Sequence, residues 1–87
     1  MSRYEVIIAA DAVRSIRRLP KPNQTSVVAA MAGLAVDPRM GKPLVGGLSG
    51  IWSLRRGDYR VLYRIDDAAR RVEVARVSHR REIYRRR

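Results

Sequence analysis

The apolar positions change period along the chain, and each change marks an element. Tyr4 to Ala9 reads Tyr-Glu-Val-Ile-Ile-Ala, a β-branched and aromatic run ending just before Ala10 and Asp11, which is the composition of a buried strand. Asp11 then offers a helix N-cap, and Val13, Ile16 and Leu19 recur at helical spacing until Pro20, with Arg14, Arg17 and Arg18 on the other face. Pro20 and Pro22 enclose a tight connection. After it Val27, Val28, Met31, Leu34 and Ala35 trace one face of a second helix, stopped by Asp37 and Pro38. Residues 38–50 hold Pro38, Gly41, Pro43, Gly46, Gly47 and Gly50 with few large apolar groups, so they read as a loop; one this long in a small domain is more often functional than idle.

From Ile51 the period becomes two. Ile51 to Arg55 and Tyr59 to Ile65 form a hairpin around Arg56-Gly57-Asp58. Asp66-Asp67-Ala68-Ala69 makes a second turn, and Arg71 to Ser78, with Val72, Val74 and Val77, makes the last strand. The tail from His79 to Arg87 reads either as a short helix or as loose chain. The expected fold is α+β over one domain, 1–87: an N-terminal strand, a helical hairpin, then an antiparallel three-stranded meander with the helices packed on one face. No internal repeat is visible.

Size and charge narrow the function. A chain of 87 residues buries only roughly 60 to 65% of its unfolded surface, so any site is shallow. The net charge is +11, from 19 Lys plus Arg against 8 Asp plus Glu, which points to an anionic partner, RNA first among them. Residues 50–87 carry 12 basic and 5 acidic side chains against 7 and 3 in 1–49, so the binding face belongs to the C-terminal part. All the basic residues but Lys21 and Lys42 are arginine, whose planar fork grips phosphate with two hydrogen bonds.

The absence of cysteine excludes a disulfide framework and thiolate metal sites, and a single histidine, His79, argues against a zinc or di-iron centre. No cofactor is expected. There is no signal-peptide pattern and no apolar stretch near the roughly 18 residues of a membrane span, so a cytosolic protein with no membrane role is expected. Gly46-Gly47 lacks the spacing of a phosphate loop.

Period-two alternation puts Tyr59, Val61, Tyr63 and Ile65 on one face and Arg60, Leu62 and Arg64 on the other. Neighbouring strands can add Arg55 and Arg76 or Arg80, making a cationic groove able to stabilise the extra charge of a phosphoryl transition state. Arg55, Arg56, Arg64, Arg76 and Arg81 are the candidate RNA contacts. His79, Arg80 and Tyr84 join a group titrating near neutrality, a permanent cation and a phenol, a set suited to proton transfer; neighbouring cations would favour neutral imidazole. The bland alternative for these is a surface histidine and a tyrosine on the core. Trp52 is expected to anchor the hairpin on the core rather than to stack on a base.

The chain resembles the RelE/ParE superfamily of toxins from toxin–antitoxin pairs. The resemblance rests on the opening Tyr4-Glu-Val-Ile-Ile, Arg18-Leu19-Pro20, Asp37-Pro38 with Lys42-Pro43-Leu44, and Leu48-Ser-Gly-Ile-Trp-Ser-Leu-Arg55. It rests above all on Gly57-Asp58-Tyr59-Arg60-Val61-Leu62-Tyr63 and the ending Val77-Ser-His-Arg-Arg-Glu-Ile-Tyr84. It implies a ribosome-dependent endoribonuclease that cuts messenger RNA through attack of a 2′-hydroxyl on the adjacent phosphate, without a metal. By position Arg60 would hold the scissile phosphate, Arg80 would stabilise the transition state, and Tyr84 would stack on or orient the base. Arg55 falls where such toxins often carry a lysine, and Ser53 where some carry a second. Arginine is a poor proton acceptor, which leaves His79 as the expected base. The resemblance also implies a cognate antitoxin, which would bring operator DNA only indirectly. A ParE-like inhibitor of DNA gyrase and a catalytically silent RNA-binding module are the alternatives.

Overall fold

A computed structural model describes residues 3–44 and 50–79. Its elements are β1 (Glu5–Ile8), α1 (Ala10–Arg17), α2 (Lys21–Gly33), a 3-10 turn (Pro38–Met40), β2 (Lys42–Pro43), β3 (Trp52–Arg56), β4 (Tyr59–Asp66) and β5 (Arg71–His79). The sheet has five strands in the order β1-β5-β4-β3-β2, antiparallel except where β1 runs parallel to β5. The three-stranded meander is therefore present but extended at both edges. One face carries the core, where Ala12, Val27, Ala30, Met31 and Leu34 of the helical segment meet Leu54, Val61, Tyr63, Val72, Val74 and Val77 of the sheet. Among the described residues the other face, the more open one, carries Arg55 and Arg76 exposed and Arg60 half-buried.

Several local expectations are corrected by packing. Among the described residues the first strand is an edge, with Ile7 and Ile8 exposed, because it pairs with β5 on one side and with no strand on the other. Ala9, not Asp11, is the N-cap of α1; Asp11 lies in the first turn and accepts a hydrogen bond from Arg14. Val28 is half exposed, and Ala30 takes its place in the core, since the helix turns Val27, Ala30, Met31 and Leu34 inward. In the segment expected to be loop, Pro38–Met40 form the 3-10 turn and Lys42–Pro43 form β2, while 45–49 lie outside the described residues. The hairpin turns on Gly57-Asp58, where Gly57 has φ 61°, as a two-residue turn with glycine first requires.

The segment from Pro38 to Gly41 is held by a buried phenol. Tyr63, fully buried, donates to the Pro38 carbonyl at 2.7 Å and accepts from the Gly41 N–H at 3.1 Å. Burial pushes its pKa above the usual range. The same segment is clamped from outside: Arg39 donates to Asp67 at 2.7 and 3.3 Å, Tyr4 donates to Asp67 at 2.5 Å, and the Arg39 guanidinium lies 5.8 Å from the Trp52 ring centroid. Trp52 itself packs against the core and against Tyr63, with ring centroids 6.4 Å apart.

The Arg39 guanidinium, and then the Tyr4 hydroxyl, hold the Asp67 carboxyl below its ordinary pKa. Because the folded value is the lower one, this stabilisation is present above about pH 4 and is lost as the pH falls through the folded value. The Asp67→Asn protein is expected to show a flatter decline of melting temperature between about pH 5 and pH 2 than the wild type. Equal slopes would mean that the clamp adds nothing to acid stability. Among the described residues, no helix is long and apolar enough to cross a membrane.

Candidate RNA-binding face

The open face is assembled by strand register. Arg55 is the Cα partner of Arg60, which is in turn the partner of Ser78. In the next row Lys42, Ser53, Leu62 and Arg76 lie opposite one another across β2, β3, β4 and β5. Directly paired residues share a face, so these rows put Lys42, Arg55, Arg60 and Arg76 together around Ser53 and Leu62. Arg55 and Arg76 are exposed, Arg60 and Leu62 half-buried, and Ser53 and Ser78 buried. The centre of the face is thus lower than its cationic rim.

Arg76 belongs there because of an irregularity. The β4–β5 register shifts between Leu62 and Tyr63, so Tyr63 pairs with Val74 while Leu62 pairs with Arg76, leaving Ala75 as the extra residue of a bulge. Without it Arg76 would follow Val72 and Val74 into the core. The spacing of three between Val74 and Val77 is the signal of this change of phase in the sequence.

Among the described residues no ion pair neutralises this end. Among the described residues the ion pairs are Arg14–Asp11, Arg39–Asp67 and Arg71–Glu5, and none uses Lys42, Arg55, Arg60 or Arg76. Arg55 gives its Nε–H to the Gly57 carbonyl at 3.3 Å, which steadies the side chain and leaves the outer nitrogens for a ligand. The far end of the same face is mixed: Arg64 pairs with Glu73 and Asp66 with Arg71, and Glu5 lies beyond. Within the paired rows, charge therefore falls from positive to nearly balanced along the strands.

The predicted candidates separate accordingly. Arg55, Arg60 and Arg76 are brought together; Arg64 shares their face but stands in the Glu73 row. Arg56 and His79, the Cα partners of Tyr59 on either side, alternate onto the opposite face. The His79 ring meets the Tyr59 ring edge-on, with centroids 5.1 Å apart. Strand alternation thus puts His79, named above as the expected base, on the face opposite Arg60 and its partner Ser78. Arg80, Arg81 and Tyr84 lie outside the described residues. Among the described residues, no cluster of His, Cys, Asp or Glu could hold a metal ion. Sequence reasoning did not place Lys42 in the site, because only the pairing of β2 with β3 puts it there.

Ser53 Oγ is buried with no hydrogen-bond partner. A buried unpaired hydroxyl is a cost, so Ser53→Ala is expected to be as stable as the wild type or more stable by about 1 kcal/mol. A melting temperature lowered by several degrees would show that the hydroxyl is bonded in solution.

Residues 6–84 match the family described as the ParE toxin of the type II toxin–antitoxin system parDE. The chain is 45% identical over 84 residues to Toxin RelE of Mycobacterium tuberculosis, covering 94% of this chain and 87% of that protein. It is 46% identical over 85 residues to Toxin RelG of the same organism, covering 95% and 98%. In structure it is similar to a chain of the toxin–antitoxin complex RelBE2 from M. tuberculosis, with a TM-score of 0.83 at 44% identity over 92% of this chain and 94% of that one. The archaeal RelE–RelB complex of Pyrococcus horikoshii shares the fold, with a TM-score of 0.74 at 22% identity over 90% and 96%. A family match across nearly the whole chain, together with two toxins almost half identical to it, shows that the chain belongs to the RelE/ParE superfamily as a toxin of the type II toxin–antitoxin kind.

Proposed function

We propose that this toxin is a ribosome-dependent endoribonuclease that cuts messenger RNA, works without a metal or cofactor, and is held inactive by a cognate antitoxin. The observation that carries the reading is the open face itself, where Arg55 and Arg60 stand in register beside Arg76 with no carboxylate among them. Such an array suits a phosphoryl centre whose negative charge grows in the transition state, because the cations are already positioned and need not reorganise.

In the reaction a 2′-oxygen forms a bond to the adjacent phosphorus while the bond from phosphorus to the 5′-oxygen breaks, leaving a cyclic phosphate and a 5′-hydroxyl. The attacking hydroxyl gives its proton to water and the departing 5′-oxygen takes one from water, so the protons balance. Arg60 holds the scissile phosphate and Arg55 shares its developing charge. Their guanidinium groups stabilise the anion but do not receive the proton. Arg80 and Tyr84, from the segment that follows β5, are assigned to the transition state and the substrate base. The antitoxin partner is supported by the two toxin–antitoxin complexes of like fold, and the excess of positive charge suits an acidic segment of that partner. Cytoplasmic action follows from a ribosomal substrate.

The family description that names ParE keeps a second reading open, inhibition of DNA gyrase. Induced expression in a bacterial host with mapping of message 5′ ends separates the two. Cuts in phase with codons are expected; growth arrest with intact messages would overturn the nuclease and favour gyrase.

A further inference from the structure

The four cations are not arranged along a strand. Arg76 lies on β5, Arg60 on β4, Arg55 on β3 and Lys42 on β2, so they run across the sheet. With neighbouring strands about 4.8 Å apart, three spacings separate the first from the last by about 14 Å. Along the strands the cationic character stops after one more row, where Glu73 faces Arg64 and Asp66 follows. A polyanion lying across the strands meets four cations with only Ser53, Leu62 and Ser78 between them in these rows, whereas one lying along them runs onto carboxylates.

Lys42 ends this track, and its place is tightly set. Gly41 approaches the β3 backbone so closely that an added Cβ would stand 2.5 Å from the Ser53 carbonyl oxygen. The Gly41 N–H bonds to Tyr63, and the Leu44 N–H bonds to the Ile51 carbonyl at 2.8 Å. Opposite Lys42 stands Ser53, whose small side chain leaves the flexible stem of the lysine free to carry its ammonium toward Arg55. Lys42 is exposed and takes part in none of the ion pairs found among the described residues.

We infer that Lys42 is a phosphate-binding residue of this toxin, and that the bound RNA strand crosses the sheet from β5 to β2, with Arg76 and Lys42 gripping phosphates on either side of the one held by Arg55 and Arg60. The inference rests on the RNA reading above and assigns that site its outer limit. A strand in this orientation touches both ends of the track at once. A strand following β4 cannot.

The test is the salt dependence of binding, measured by fluorescence anisotropy with a single-stranded RNA oligonucleotide methylated at every 2′-oxygen so that it is not cut. For single strands, each phosphate that a cation no longer neutralises reduces the slope of log K against log salt by about 0.7. Lys42→Ala and Arg76→Ala are each expected to reduce it by about that amount, Lys42→Arg to restore it, and Lys21→Ala, remote from this face on α2, to leave it unchanged. If Lys42→Ala keeps the wild-type slope while Arg60→Ala reduces it, the inference fails and the RNA site stands. A reduced slope with Lys42→Ala but not with Arg76→Ala would overturn the crossing direction. Should Arg60→Ala also keep the wild-type slope, the RNA reading itself falls.

Discussion

Replacing Arg60 by alanine is expected to abolish messenger RNA cleavage, by a factor on the order of 10² to 10³, while leaving the melting temperature unchanged or slightly higher. The first half follows from position. Arg60 is the central cation of the open face, flanked in register by Arg55 and Ser78. A preorganised donor aimed at the developing charge acts mainly in the transition state, so its loss removes rate more than affinity.

The second half follows from the fold. Arg55 and Arg60 are like charges directly opposite each other on adjacent strands, an arrangement that destabilises a sheet. Among the described residues no acid is paired with either. The protein thus carries a repulsive pair where a nuclease needs one, and alanine relieves it. Mapping of message ends and thermal unfolding of the same variant check both halves. Loss of cooperative unfolding would show that Arg60 packs in the core and that the faces of β4 are inverted.

Gly41→Ala is expected to lower stability by about 2 kcal/mol, equivalent to roughly 10 °C in melting temperature for a domain of this size. The added methyl would meet the Ser53 carbonyl oxygen at 2.5 Å, the Tyr63 hydroxyl at 2.7 Å and the Ser53 carbonyl carbon at 2.9 Å. Two of these atoms are backbone of β3 and the third is bonded to Pro38, so none can swing aside. The strain is relieved only by moving β2 away from β3, which breaks the Gly41–Tyr63 bond and carries Lys42 off the face. Thermal unfolding checks the stability, and the salt slope of RNA binding should fall as it does for Lys42→Ala. A variant as stable as the wild type would mean that β2 is not held against β3 in solution.

Residues close in sequence determined much of this protein. Alternation over 59–65 separated Arg60 from the core, and the glycine-centred turn set the hairpin that brings Arg55 beside it. The excess of arginine after residue 50 gave the chemistry of the partner before any strand was placed. These features depend on a period of two and on a turn of two residues, and local backbone geometry dictates both.

What the tertiary structure decided is every contact between distant segments. β1 reads as a buried strand from its composition, yet among the described residues it is an edge, paired with β5 some 66 residues away in sequence. The two residues of β2 carry no strand signal and pair because contacts of Gly41 with Tyr63 and of Leu44 with Ile51 hold them against β3. The bulge at Ala75 turns Arg76 outward, and alternation about Tyr59 takes Arg56 and His79 away from Arg60. A local pattern states which side chains share a face of one strand. Which strands lie side by side, and hence which faces become one site, is fixed by packing energy summed over the whole core.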